Sequence, residues 1–540
     1  MKRHEWSYTD KWPKDISSFR KDAPLYMNVA ANIEKTCRDH WDKVCIIEGA
    51  HRLTFGLVEE RASRLALYLA SIGVKPGDRI AIFQVNCFQF AEMVYAIEKV
   101  GAIIVTLNFR LRGEETKYIL NNSEAKVLIV GDRYVEMINS VKAEIPSVEV
   151  VLCIGEEKPG TFNYEKVLSS QPADIFQPVT MKEDDVACII YTSGTTGLPK
   201  GAMITHANLL TPLTDTYTFG PGTLLINVPM YHIAGIVSIM LPLYRGDKMI
   251  ILPAFDAGIF LGIVEKEKVN TTYLVPTMLQ AVLDHPDFEK RDTSSLTHIG
   301  YGASPMPINL LLRAKKALKV DFTNFFGLTE TTGIVAVLGP EDHYLEGDKE
   351  AVDKKIRRLS GIGRSIPEGE ARIVDSDDQE LPRGEVGEIV ARSPKVMKGY
   401  WKNEKATGET MKGGWLHTGD LARMDEDGYM YLSGRKKDMI IRGGENIYPV
   451  EIEAVLHKHP KVEEAAVIGI PDEYWGEIVK AVLVLKKGEQ ATEEEIIEHC
   501  RQRLASYKKP SVVEFRDSLP KNAMQKVLKT VLREAAMKKP

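Results

Sequence analysis

Apolar residues recur along the first half of the chain at two spacings. Between Thr54 and Ile72 they fall at Leu57, Ala62, Leu65 and Leu69, the spacing of one helix face. Gly73 and the turn Pro76-Gly77-Asp78 end that run. Phe88 to Val100 reads as a second helix. Short, continuously apolar runs lie between such segments: Arg79–Val85, Ala102–Leu107, Val127–Val130, Val150–Ile154 and Ala187–Ile190. The alternation continues through Leu224–Pro229, Met249–Leu252, Thr272–Val275 and His298–Tyr301. Strands without a polar face, separated by helices, predict parallel sheets covered on both sides.

From about Gly363 the texture changes to short strands and turns such as Asp375-Ser376-Asp377-Asp378 and Asp425-Glu426-Asp427-Gly428, which predicts a β-rich segment. The charged patch Ser433 to Asp438 is the candidate linker. Beyond it, a helix near Glu451–Lys458, a strand at Ala465–Ile470 and the capping box Thr492-x-x-Glu495 predict a compact α+β unit. The expected class is α/β. A large N-terminal domain over 1–433 holds helix-covered sheets with a β-rich subdomain, a hinge covers 434–438, and a small α+β domain covers 439–540.

Composition narrows the function classes. The chain has 540 residues with a formal net charge of -5, which leaves no field for nonspecific nucleic-acid binding. Six scattered cysteines form no CxxC pair, so reduced thiols are expected and no zinc site. The N-terminus carries Lys2, Arg3, His4 and Trp6 and lacks the apolar core of a signal peptide. The longest apolar stretch, Ile233 to Leu243, is too short to span a bilayer. A cytoplasmic protein is expected.

The strongest chemical signal is Tyr191-Thr-Ser-Gly-Thr-Thr-Gly-Leu-Pro-Lys-Gly-Ala202, directly after a strand. Its glycines let backbone N–H groups approach phosphate oxygens, and Thr192, Ser193, Thr195, Thr196 and Lys200 add donors around Gly194. It is not a Walker loop, because Pro199 precedes Lys200 and Gly201 follows it. The loop resembles the phosphate-binding signature of the adenylate-forming superfamily: acyl-CoA synthetases, nonribosomal adenylation domains and beetle luciferases. Further elements resemble that superfamily in order: Pro229-Met-Tyr-His232, Gly300-Tyr-Gly-Ala-Ser-Pro305, Asn324-Phe-Phe-Gly-Leu-Thr-Glu-Thr331, Trp415-Leu-His-Thr-Gly-Asp420, Tyr431-Leu-Ser-Gly-Arg-Lys-Lys-Asp438 and Gly443-Gly-Glu-Asn-Ile-Tyr-Pro449.

The resemblance implies ATP and CoA as co-substrates, Mg2+ as cofactor and a role for each element. Glu330 is a hard oxygen ligand suited to Mg2+, with Thr192 adding to its shell, and Thr329 hydrogen-bonds the α-phosphate. Gly302, Ala303 and Ser304 flank the adenine, and Phe326, next to Gly327, stacks on it. Asp420 grips the ribose hydroxyls, Arg435 reaches ribose or phosphate, and His232 gates the acyl site. Lys526 enters the site during adenylation and stabilises charge building on phosphorus. Gln525 stands where the family usually has glycine; if that position needs positive φ, it costs about 1 kcal/mol or more. Rotation of the mobile small domain about Lys437 then removes Lys526 and brings Gly443, Gly444 and Glu445 to the CoA side.

Thr223 to Gly246 contains no acidic residue to pair with an amino-acid amine, and no carrier domain is expected after Lys526. The expected branch is therefore the acyl-CoA ligases. Ile233, Ala234, Gly235, Tyr301, Gly302, Gly333, Ile334 and Val335 should line the acyl pocket, and none is charged. A medium- to long-chain fatty acid is favoured. An aryl or alicyclic acid is the alternative, and a catalytically idle nucleotide sensor or scaffold is the reading from a different class. Oligomeric state stays open, with a homodimer among the options.

Overall fold

The computed structural model describes residues 29–192, 198–215, 220–443, 445–521 and 527–537. These divide into two compact units. The first is drawn from Met1–Ile356, Ser365–Glu370 and Arg392–Gly414, the second from Arg357–Arg364, Ala371–Ala391 and Trp415–Pro540. The second unit thus takes in most of the β-rich segment that the sequence reading places in the large domain.

The first unit is built on two large sheets, one of eight strands and one of nine. In the eight-stranded sheet Arg79–Phe83, Ile103–Thr106, Ala125–Gly131, Val150–Ile154 and Val186–Thr192 run parallel. Their residues are almost all buried because helices cover them, which is why they read as unbroken apolar runs. The helix Phe55–Ser71 is one of those covers. Its N-cap, Thr54, accepts a hydrogen bond from the Leu57 amide, a cap typically contributing about 1 kcal/mol. Its buried stripe runs through Phe55, Val58, Ala62, Leu65, Ala66 and Leu69. Leu57, expected in that stripe, is exposed, because it lies two residues past Phe55 and so faces away.

The nine-stranded sheet places Lys248–Ile251, Thr223–Ile226, Thr271–Leu274, His298–Gly302 and Asp321–Phe326 side by side and parallel. The strands end together, so Asn227, Val275, Ala303 and Gly327 emerge at one edge. The C-terminal edge of a parallel sheet is where loops carry ligand chemistry.

In the second unit, Val386–Arg392, Trp415–Met424 and Met430–Arg435 pair antiparallel. A five-stranded sheet follows, with Val462–Asp472 and Gly476–Leu485 as its long antiparallel pair. The helices Pro449–Leu456 and Glu493–Arg501 bury Ile452, Leu456, Ile496 and Cys500 against it. Thr492 caps the second helix by accepting from the Glu495 amide, as the box Thr492-x-x-Glu495 predicts. No helix among the described residues is long and apolar enough to cross a membrane.

Candidate active site

The glycine-threonine loop connects two antiparallel neighbours. Val186–Thr192 runs to its start, and Lys200–Thr205 returns from its end. Ser193, Gly194, Thr195 and Thr196 lie outside the described residues, but both flanks are placed. The Thr192 hydroxyl donates to Glu330 Oε1 at 3.2 Å. The Lys200 ammonium stands 5.2 Å from the centre of the Tyr400 ring.

Glu330 sits in the single 3-10 turn Thr329–Thr331 that follows Asp321–Phe326. Thr331 closes the turn through its hydroxyl and the Leu328 backbone. Thr332 takes a left-handed conformation, φ +49°, and its hydroxyl donates to the Lys395 carbonyl oxygen at 2.7 Å. The Met397 amide donates to the Glu330 carbonyl oxygen at 2.9 Å. A second hydroxyl, that of Tyr400, donates to Glu330 Oε1 at 2.9 Å. Burial and the adjacent carboxylate both push the Tyr400 phenol up, which keeps it a donor. Tyr400 is absent from the sequence reading. Its only local signal is a Gly-Tyr pair in a loop, and its partner strand Lys200–Thr205 lies far back in the chain.

Both donors use Oε1, and no described residue hydrogen-bonds Oε2. A half-buried carboxylate with one oxygen available suits Mg2+, which keeps most of its shell as water and phosphate oxygen. The residues present therefore fit the metal that the resemblance implies.

Phe326 and Gly327 end their strand, and Gly302, Ala303 and Ser304 end the neighbouring one, with Ala303 at φ +64°. His232 precedes the helix Ile233–Arg245, its ring 4.2 Å from that of Tyr231. Burial holds the His232 imidazole down at about 4, so it is neutral at physiological pH.

The expected acyl-pocket residues separate into groups. Ile233 Cγ2 lies 4.0 Å from where a Cβ on Gly333 would stand. Ile334 packs against the cluster of Phe325, Val337 and Ile366, as Tyr273 does. Ala234 is exposed on the first turn of its helix. Gly235 has a packing role: a Cβ there would collide with Met230 Cα and the Pro229 carbonyl oxygen. Tyr301 is wholly buried, and its hydroxyl meets His343 Nε2 at 2.9 Å. His343 Nδ1 faces the Gly339 carbonyl oxygen at 2.7 Å, so Nδ1 carries the proton and Nε2 accepts from Tyr301. These contacts give the Tyr301 side chain a core position, on the sheet face opposite Gly302.

The second unit carries the other motifs. Asp420 and Arg435 are paired across two strands, with Arg435 Nε 2.5 Å from Asp420 Oδ1. Glu388 gathers Lys436 Nζ at 3.0 Å, His417 Nδ1 at 3.2 Å and the Gly419 amide at 3.0 Å, which holds its carboxyl below the usual range against the effect of burial. Lys437 sits in the turn Lys436–Asp438, and Arg533 binds Asp438 at 2.7 Å. Gly443 donates its amide to the Trp475 carbonyl oxygen at 2.8 Å, and Glu445 opens an exposed strand beside it. Gly444, Gln525 and Lys526 lie outside the described residues.

Comparison with known proteins places these two sets of residues in one lineage. The family model described as AMP-binding enzyme matches residues 33–401, and that of the AMP-binding enzyme C-terminal domain matches 451–526. Feruloyl-CoA synthase from Amycolatopsis sp is 38% identical, with 90% of this chain and 94% of the relative covered. The long-chain-fatty-acid–CoA ligase FadD13 of Mycobacterium tuberculosis is 34% identical, covering 89% of this chain and 93% of its own. The crystal structure of ATP-bound MatB from Rhodopseudomonas palustris superposes with a TM-score of 0.85 at 30% identity, over 95% of this chain and 99% of that one. A match over most of its length to that family and to these relatives carries the assignment: the chain belongs to the AMP-binding enzyme family, in its acyl-CoA synthetase branch, and is an AMP-forming acid–CoA ligase.

Proposed function

We propose that Glu330 is the protein's ligand to Mg2+, through Oε2, and that Thr192 and Tyr400 hold it in that orientation. The observation that carries this reading is the pair of hydroxyls converging on Oε1. Mg2+ would offset phosphate charge as the acid's carboxylate attacks the α-phosphorus. Thr329 and the donors of the glycine-threonine loop bind the phosphates, and Phe326 with Gly302, Ala303 and Ser304 flanks the adenine. Asp420 accepts from the ribose hydroxyls, and Arg435, already paired with it, orients that carboxylate. Lys526 stabilises the developing charge on phosphorus. His232, neutral through burial, guards the acyl group without adding charge.

The carboxylate's attack breaks the bond from the α-phosphorus to its bridging oxygen and releases pyrophosphate, leaving a mixed anhydride; the CoA thiol then attacks its acyl carbon, giving the thioester and releasing AMP. Lys437, in the turn between the antiparallel strands and the C-terminal sheet, is the hinge for exchanging the two steps. Gly443, Gly444 and Glu445 serve the thiol side. We assign 1–433 and 439–540 as the domains that move about it.

The acid has an uncharged, apolar body, because no charged residue stands among Ile233, Ala234, Gly333 and Ile334. The medium- to long-chain fatty acid expected from sequence meets that requirement, in line with the name of the relative from Mycobacterium tuberculosis. An aryl acid meets it too, and the feruloyl-CoA synthase relative supports that second reading. Incubation with ATP, CoA and a panel of straight-chain and aryl acids, with AMP release as readout, tests both. AMP release driven only by dicarboxylates or amino acids refutes an uncharged pocket.

A further inference from the structure

Tyr273 belongs to no motif. It lies in the strand Thr271–Leu274, beside Gly300 of the neighbouring strand. Its ring stacks near-parallel with that of Phe325, at 19° and 6.4 Å between centroids. Ile334 packs on the same cluster. A Cβ added to Gly302 would lie 2.6 Å from the Tyr273 hydroxyl oxygen, so that oxygen stands directly over the backbone of Gly302. The hydroxyl thus lies against the strand end assigned to the adenylate, while its ring shares a cluster with Ile334, assigned to the acyl group.

That hydroxyl has no hydrogen-bond partner among the described residues. Two other tyrosines near the site are committed, Tyr301 to His343 and Tyr400 to Glu330, while the Tyr231 hydroxyl beside His232 is buried without a partner among the described residues. Burial pushes the Tyr273 phenol well up, so it remains a neutral donor at any pH the enzyme meets. While the pocket is open, water can serve the hydroxyl. An alkyl chain lying against Ile334 and Phe325 would expel that water and leave a buried polar group unpaired, which is costly. A flat acid with an oxygen at its far end would replace the water and use the stacked rings as its wall.

We propose that Tyr273 is a specificity-determining residue of the acyl pocket, its hydroxyl recognising an oxygen substituent on the ring of a planar aryl acid. The proposal rests on the acyl-pocket reading of Ile233, Gly333 and Ile334. A site built to hydrogen-bond a substrate oxygen discriminates strongly against the analogue that lacks it, whereas a purely apolar wall discriminates weakly.

The test uses the full-length enzyme and acid-dependent ATP–pyrophosphate exchange with 4-hydroxycinnamate, cinnamate and decanoate. Wild type should favour 4-hydroxycinnamate over cinnamate in kcat/KM by at least about tenfold. Tyr273→Phe keeps the ring and removes only the oxygen. It should erase that preference, with the loss falling on 4-hydroxycinnamate and cinnamate changed by less than about twofold. An unchanged ratio, an equal loss on both aryl acids, or a wild type that prefers decanoate overturns the proposal. Ile334→Phe tests the pocket separately. If it leaves all three acids unaffected, the acyl-pocket reading fails and the proposal with it; if it alters them while Tyr273→Phe does not, only the role of Tyr273 fails.

Discussion

Tyr400→Phe removes one oxygen and leaves the ring against which Lys200 stands. The lost interaction is a 2.9 Å hydrogen bond to a carboxylate. Bonds to charged groups are worth about 1.5–3 kcal/mol. Glu330 is only half-buried and keeps its bond from Thr192, so solvent and the remaining donor absorb part of the loss. About 1–2 kcal/mol of positioning should disappear, a factor of roughly 5–30 in rate. The loss should appear as a raised Mg2+ requirement in acid-dependent ATP–pyrophosphate exchange, large at limiting Mg2+ and small at saturation. Thioester formation from supplied acyl-AMP should be unchanged, since it needs no metal at the α-phosphate. The thermal midpoint should move little, because the phenyl ring still fills its place. Exchange within twofold of wild type at limiting Mg2+ refutes the idea that Tyr400 orients the metal ligand. A matching fall in both half-reactions would reassign Tyr400 to stability alone.

Lys526→Ala should cripple acyl-AMP formation while sparing thioester formation from supplied acyl-AMP; equal losses in both would remove the lysine from the chemistry. Ala234→Phe adds bulk on the first turn of the helix after His232, and each buried methylene it displaces is worth about 0.8 kcal/mol. The kcat/KM optimum over a series of acids should move to shorter ones, with the KM for ATP constant, and superimposable profiles would place Ala234 outside the pocket. Burial holds His232 and His298 at about 4 and His343 at about 3, below the unfolded value of about 6.5. Their neutral forms contribute stability that is complete above pH ~6.5 and lost as pH falls through 4, since unfolding then takes up protons. The thermal midpoint should fall between pH 7 and 5, and a flat profile there contradicts the burial of these rings.

The parallel strands were legible because each is buried on both faces, and the helix Phe55–Ser71 because its stripe keeps a helical period. The glutamate turn and the Asp420–Arg435 pair were legible because the first closes on itself through Leu328 and Thr331 and the second spans one hairpin, although Glu330's own partners lie far away in the chain. Tyr400 was not, since its function depends on the pairing of Gly399–Tyr400 with Ala202–Met203, a contact that no local pattern encodes. Tyr301 and Tyr273 show the same limit within adjacent strands. Both are tyrosines near the sheet's C-terminal edge, yet the pleat sends Tyr301 toward His343 and Tyr273 toward Gly302. The motif Gly300–Pro305 draws attention to Tyr301, whose oxygen is spent on His343 in the core, whereas Tyr273 belongs to no motif.

The segment that presents Tyr400 carries a feature that stability alone does not explain. Lys395 and Asp215 form an ion pair at 2.9 Å with both side chains wholly buried. Removing two charges from water costs several kcal/mol per ion, and a well-packed apolar pair would often be as stable. The backbone around Lys395 suggests what the pair secures. The Asn208 amide donates to the carbonyl oxygens of Pro394 and Val396, Thr332 donates to that of Lys395, and the Met397 amide reaches the Glu330 carbonyl oxygen. Lys398 and Trp401 then bond the strand Lys200–Thr205 through Met203 and Gly201. Residues 394–397 are thus fixed alternately to Asn208 and to the glutamate turn, and Lys398 and Trp401 to the strand Lys200–Thr205. An apolar pair could slide by an ångström without penalty, whereas the ion pair admits one register. With that register set, the Tyr400 hydroxyl arrives at Glu330 Oε1, and the strand Lys200–Thr205 is aligned with the glutamate turn.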